Sequence, residues 1–97
     1  MHSITRIVKM IFKKEEISSF EKVFAENKNR IANFNGCEHL ELLHDKNDER
    51  VFFTFSRWKS ESDLENYRNS ELFKNVWGKT KVLFEEKAEA WTVINNE

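Results

Sequence analysis

The segment 51–74, VFFTFSRWKSESDLENYRNSELFK, constrains the chain more than any other. Val51, Phe52, Phe53, Thr54 and Phe55 are β-branched or aromatic, a composition that suits a pleated and buried surface. The run passes through Arg57 and Trp58 directly into Ser60-Glu61-Ser62-Asp63. Ser60 can accept from the free N–H groups of a helical first turn, and Asp63, three residues on, completes a capping-box-like pair. Leu64 and Tyr67 follow at helical spacing, and Ser70 offers a second cap ahead of Leu72 and Phe73. A buried strand therefore ends on a tryptophan, turns at once and becomes two short helical pieces.

The rest of the chain falls into place around this unit. Ile4–Phe12 reads as a first strand, apolar on both faces except at Arg6 and Lys9. These two have opposite parity, so one points to each side of the sheet. One can carry its charge to the sheet margin on a long stem, leaving the other to face a ligand or partner. Residues 13–33 predict an amphipathic helix with Ile17, Phe20, Phe24 and Ile31 on its apolar stripe, closed by Asn35-Gly36. Cys37–His44 is a second strand, joined by the polar turn 45–49 to a third, Val51–Trp58. The broken second helix covers 60–84, with Gly78 lying inside it as a weak helix former, residues 85–87 form a solvated link, and 88–94 a last strand. The order β-α-β-β-α-β is that of the α+β ferredoxin-like split βαβ arrangement, with a four-stranded antiparallel sheet and both helices on one face. A chain of 97 residues has room for one such domain, spanning 1–97.

A sheet covered on one side only should alternate apolar and polar residues. The third strand does not: Val51, Phe53 and Phe55 share one parity and Phe52 has the other. In the last strand Trp91 and Val93 oppose Ala88, Ala90 and Ile94. Nine Phe and three Trp can either fill the core of a small domain or leave more apolar surface than it hides, and the outer face of the sheet decides between the two. The second face therefore needs a cover, and a homodimer is expected.

Trp58, Ser60, Leu64, Ser70, Phe73 and Lys74, in that order and spacing, resemble the pattern of the antibiotic biosynthesis monooxygenase family. The resemblance extends over nearly the whole chain. It implies a dimeric α+β barrel, in which two sheets pack face to face and each subunit keeps a pocket between sheet and helices. It further implies a cofactor-independent monooxygenase acting on a small aromatic or quinol-type substrate, whose own carbanion reacts with oxygen. Many members carry a Glu two residues before the Trp, and His at two helix positions; here Ser56, Tyr67 and Leu72 stand there. A related haem-degrading branch shares the Trp-x-Ser-Glu stretch, but its axial His falls at Trp77 and its strand Asn at about Val8. The alternatives are thus a non-catalytic dimeric ligand-binding module and, further off, a haem-degrading enzyme.

The pocket region of the family gathers the candidate substrate-binding residues Phe53, Phe55, Trp58, Tyr67, Phe73 and Trp77, with Arg6 from the first strand. Flat aromatic walls with few polar groups suit a planar apolar ligand. Tyr67 and Trp77 would converge if the helix breaks near Asn69 and Ser70. Tyr67, and next to it His39, are the candidate catalytic residues, the first as a hydrogen-bond donor and the second as an acid or base. No metal or other cofactor is expected: His39 and His44 lie on opposite faces of one strand, His2 is terminal, and HExxH and CxxC are missing. Cys37 reads as a small buried hydrophobe rather than a nucleophile. The net charge of −1 comes without a basic block, which argues against nucleic acid, and no apolar run reaches membrane-spanning length. A single cysteine is consistent with a cytoplasmic protein.

Overall fold

Alternation along the central strand divides the molecule. Residues 3–96 are described by a computed structural model with the order β1 (Ile4–Phe12), α1 (Ile17–Ala32), β2 (Cys37–His44), β3 (Val51–Trp58), α2 (Glu61–Arg68), α3 (Glu71–Lys81) and β4 (Phe84–Val93). A 3-10 turn at Lys14–Glu16 leads into α1. The strands form one antiparallel sheet in the order β2-β3-β1-β4. On β1, Ile4, Met10 and Phe12 are buried on the helix side, and Arg6 and Val8 share that parity. Thr5, Ile7, Lys9 and Ile11 face the other way. Lys9 is thus the cation on the open face and Arg6 the one beneath the helices.

The main core is aromatic and lies between β1, β3 and α1. Phe12 stacks on Phe20 at 4.1 Å between ring centroids and meets the Phe52 ring at 5.7 Å in an edge contact. Met10, Phe24 and Leu83 complete this cluster. A second, smaller cluster of Ile4, Trp58 and Leu64 packs with Phe34, Cys37 and Tyr67 at the other end of the sheet.

The two serine caps of the sequence reading are present. Ser60 Oγ accepts from the Asp63 N–H at 3.1 Å and donates to the Asp63 carboxylate at 3.0 Å. The reciprocal partner is therefore the serine hydroxyl, not the Ser60 N–H that a capping box would use. Ser70 Oγ accepts from the Phe73 N–H at 3.1 Å and donates to the Tyr67 carbonyl at 2.6 Å, so one side chain closes α2 and opens α3.

Several boundaries differ from the sequence reading: α1 starts at Ile17 rather than at 13, because the chain first makes the 3-10 turn, and β4 ends at Val93. Helix α3 ends at Lys81, and residues 84–87 belong to β4 rather than to a solvated link. Phe84 pairs with Phe12 and Glu86 with Ile11 across register shifts, so the strand starts earlier on an irregular edge. Glu85, Glu86 and Lys87 are exposed there, charged residues on an edge strand that look like a link in sequence. Gly78 does not interrupt α3.

Gly36 adopts φ 91°, a conformation open to glycine. Its carbonyl accepts from the Lys59 N–H at 2.8 Å, and a Cβ on it would overlap the Asp63 side chain. The turn after α1 thus abuts the first turn of α2. Gly36→Ala is expected to lower stability by about 1–3 kcal/mol, through both the strained φ and the overlap. Gly78, with open space around it on a helix, should behave in the opposite sense, with Gly78→Ala gaining about 0.4–1 kcal/mol. Urea unfolding of the two variants checks both signs.

Candidate functional site

The helix-facing residues of β1 and β3 make the floor of an enclosed space roofed by α1, α2 and α3. Val8 and Met10 come from β1, Thr54 and Ser56 from β3, Phe24 and Ile31 from α1, and Tyr67, Phe73, Val76 and Trp77 from the two later helices. The cavity holds about 90 Å³. An adjoining cleft of about 220 Å³ opens toward β4 and is lined by Arg6, Val8, Leu64, Arg68, Phe73, Trp77, Ala88 and Ala90. Val8, Phe73 and Trp77 line both, so they stand between the inner cavity and its outer cleft. A wider groove at the β2–β3 loop, lined by Lys14 and residues 44–50, is open and charged and encloses nothing.

Aromatic side chains build one wall in sequence. Trp58 is 1 % exposed and gives its indole N–H to Ser56 Oγ at 3.0 Å. Its ring stacks on Tyr67 at 4.9 Å and 24°, behind the cavity rather than along it. Tyr67 meets the Phe73 ring edge-on at 5.3 Å, and Phe73 lies parallel to Trp77 at 5.9 Å and 10°. Trp77 in turn contacts Phe84 at 5.6 Å, which joins the wall to the main core. The break between α2 and α3 brings Tyr67 and Trp77 onto this one wall, as their spacing on a straight helix would not.

The polar groups of the cavity are few. Among the described residues the Tyr67 hydroxyl has no hydrogen-bond partner. Burial, with the Cys37 thiol adding to it, pushes the Tyr67 phenol well above its ordinary value, so it is a proton holder at neutral pH. Ser56 accepts from Trp58 and keeps its own hydroxyl hydrogen for donation. Thr80 gives its hydroxyl to the Val76 carbonyl at 2.7 Å. Among the described residues no His, Asp or Glu lines either the cavity or the cleft. At the cleft, Arg6 donates to Thr92 Oγ1 at 2.7 Å. Burial, and next the like charge of Arg68, lower the Arg6 pKa, with Glu65 opposing.

Several sequence candidates lie elsewhere. Phe53 and Phe55 are opposite Lys9 and Ile7 in the β1–β3 register and face away from the helices. Phe55 sits under the Arg57 guanidinium at 5.9 Å, with the His39 ring at 6.2 Å. They cannot share a cavity with Trp58, because Trp58 has the parity of Phe52, Thr54 and Ser56. His39 is on that same open face, about half exposed, with Nε2 3.2 Å from Glu41. Burial raises the Cys37 thiol, which leaves it protonated and unreactive. His2 lies outside the described residues. Among the described residues no group of three or more His, Cys, Asp or Glu side chains is placed to hold a metal ion, and no helix is long and apolar enough to cross a membrane. Arg6, Phe73 and Trp77 do line the site, with Trp58 directly behind Tyr67. Arg68 and Ser56 were missed as site residues. Arg68 follows Leu64 by one helical turn, a signal available in the sequence.

A family model for the antibiotic biosynthesis monooxygenases matches residues 3–77. No curated protein sequence matches the chain at a significant level. Solved structures share the fold. A conserved protein of Methanosarcina mazei is 17% identical with a TM-score of 0.91, covering 96% of this chain and 92% of its own. Proteins of Caulobacter crescentus and Nitrosomonas europaea, both provisionally called antibiotic biosynthesis monooxygenases, are 20% and 14% identical, each with a TM-score of 0.91. The first covers 99% of this chain and 92% of its own, the second 98% and 91%.

Tyr67 is the one tyrosine of the chain, so its ionisation can be read without interference. Its folded-state pKa is raised, so the stability it contributes is complete below the unfolded value of about 10 and is lost as pH rises through the folded value. Tyrosinate absorbance should therefore be missing from the native protein at pH values where free tyrosine is half ionised. It should appear together with unfolding. A spectrophotometric titration alongside circular dichroism tests this, and free ionisation in the folded state would contradict the burial.

Proposed function

The chain belongs to the antibiotic biosynthesis monooxygenase family, and on that premise we propose a cofactor-independent monooxygenation of a small aromatic or quinol-type substrate in the cavity between sheet and helices. The observation that carries this reading is Tyr67, a half-buried side chain on an aromatic-walled space, whose hydroxyl has no hydrogen-bond partner among the described residues and stays accessible to a ligand. A polar group so placed is satisfied when a ligand oxygen arrives.

The chemistry balances without an external reductant. In its keto form the substrate carries a CH2 group conjugated to a ring carbonyl. Loss of one proton leaves a carbanion, which adds to dioxygen and forms a peroxide. Protonation of the peroxide and loss of water leave a second carbonyl. One oxygen atom enters the product, the other leaves as water, and the substrate supplies all four electrons. Tyr67 donates to the ring oxygen on which the carbanion's charge rests. Phe73 and Trp77 orient the ring plane, and the apolar floor at Val8 and Met10 keeps bulk water from the peroxide.

1-Naphthol is a suitable probe, since dioxygen would convert it to 1,4-naphthoquinone and water. Wild-type protein should consume dioxygen and form quinone in equal amounts without releasing hydrogen peroxide. Tyr67→Phe should lower the rate about 10- to 100-fold, the worth of a hydrogen bond to an ionised oxygen. Its melting temperature should barely move, because the hydroxyl has no partner to lose. No turnover by wild type would leave a non-catalytic ligand-binding module as the account of this site.

The open face supports a homodimer in the same reading. Ile7, Phe53, Phe55, Trp91 and Val93 form an apolar surface there, with Trp91 45% and Val93 42% exposed in the single chain. Light scattering at micromolar concentration should give twice the chain mass. Phe55→Glu, which puts a charge at the centre of that face, should shift the protein toward monomer.

A further inference from the structure

We propose that the cleft beside the cavity selects an aromatic anion: a planar apolar ring system that carries an ionised oxygen, held by Arg6 and Arg68. The inference rests on the cavity identified above as the substrate site and names the class of ligand it prefers.

Arg6 is out of character with its surroundings. It projects from the central strand on the face that also carries Ile4, Val8, Met10 and Phe12. Its guanidinium donates to a neutral hydroxyl, that of Thr92, and among the described residues no carboxylate lies within ion-pair distance of it. A guanidinium has five donors in a planar fork, so most of its capacity is open. Arg68, which lines the same cleft, contacts Glu65 at 3.7 Å on the half-exposed flank of α2. Arg6 and Arg68 flank one apolar mouth; burial first, and then the like charge of Arg68, lower the Arg6 pKa, with Glu65 only partly opposing them. An oxyanion between them removes the repulsion and matches the fork geometry.

The remaining lining says what the anion is attached to. Val8, Leu64, Phe73, Trp77, Ala88 and Ala90 are apolar, and the parallel Phe73 and Trp77 rings mark the passage to the inner cavity. The cleft's volume of about 220 Å³ has room for a fused bicyclic ring. The missing base fits as well. With no His, Asp or Glu among the described lining residues, loss of the substrate proton is favoured by cations that stabilise the resulting anion, rather than by a side chain that accepts the proton.

The test compares 2-naphthoate with 2-naphthamide, alike in shape and different in charge, by isothermal titration calorimetry. Wild type should bind naphthoate about tenfold or more tightly than naphthamide at low ionic strength, and the gap should narrow as salt rises. Arg6→Gln should bring the two affinities together, Arg68→Gln should narrow the gap, and Arg6→Lys should retain part of it. Arg68 is half-exposed, so its variant folds and remains decisive if Arg6→Gln does not. Equal affinities in wild type, binding of neither probe, or a preference that survives both glutamine substitutions would each overturn the proposal. Dioxygen consumption with 1-naphthol but no preference for naphthoate would sink this inference and leave the monooxygenase reading standing. A clear preference for naphthoate without turnover would do the reverse.

Discussion

Burial of Trp58 is the constraint from which the site follows. An indole this enclosed needs an acceptor for its N–H, and Ser56, two residues back on the same face of β3, supplies it. With the ring held there, the chain must turn at once, and Ser60 starts α2 directly above the strand end. Tyr67 then lands on the indole face. Ser70 ends α2 one turn later and redirects the chain, so that Phe73 and Trp77 continue the same wall. Gly36 closes the arrangement from below, since only a residue without Cβ lets the α1–β2 turn reach the first turn of α2. The site depends less on any one catalytic side chain than on this corner being held from three sides.

The same strand geometry decides which residues are excluded from the site. Because successive side chains alternate, fixing Trp58 beneath the helices commits Phe52, Thr54 and Ser56 to that side and sends Phe53 and Phe55 to the other. The two faces then do different physical work. The helix side carries the core and a cavity, while the open side carries aromatic surface without a cover in the single chain. Arg6 and Lys9 divide in the same way. One sits where its charge is partly desolvated and consequential, the other lies among exposed strand residues.

Much of this was legible in the sequence. Three strand boundaries, both serine caps, and the break that unites Tyr67 with Trp77 follow from short-range chemistry, which the chain states locally. The placement of Phe53 and Phe55 was also legible, since their parity differs from that of Trp58, yet grouping by nearness in sequence put them in one pocket with it. His39 failed for a related reason: a histidine on a strand announces an acid or base, but not the face it occupies. The start of β4 was not legible. Glu85, Glu86 and Lys87 look like a solvated connection, and only pairing with β1 across register shifts makes them a strand. Arg68 was legible from its spacing to Leu64, one helical turn away, but a charged residue near a helix end ordinarily serves that helix's own dipole, and this masked its role at the cleft.

What the site lacks is as informative as what it holds. Family members with a Glu ahead of the Trp and His on the helices place titratable groups where this chain has Ser56, Tyr67 and Leu72. Leu72 faces the groove between α1 and α3, so it does not stand in for an imidazole at all. Ser56 is tied to the indole, and Tyr67 holds its proton far above neutral pH. None of the three side chains is therefore suited to take up a proton at neutral pH. Charge survives only at the cleft, and there it is positive. A cavity of donors and cations cannot take a proton from a reluctant carbon acid, but it can stabilise one that ionises readily. In the proposed reaction the burden of reactivity then lies with the ligand, and the protein's part would be the selection, orientation and enclosure of an anion that dioxygen can reach.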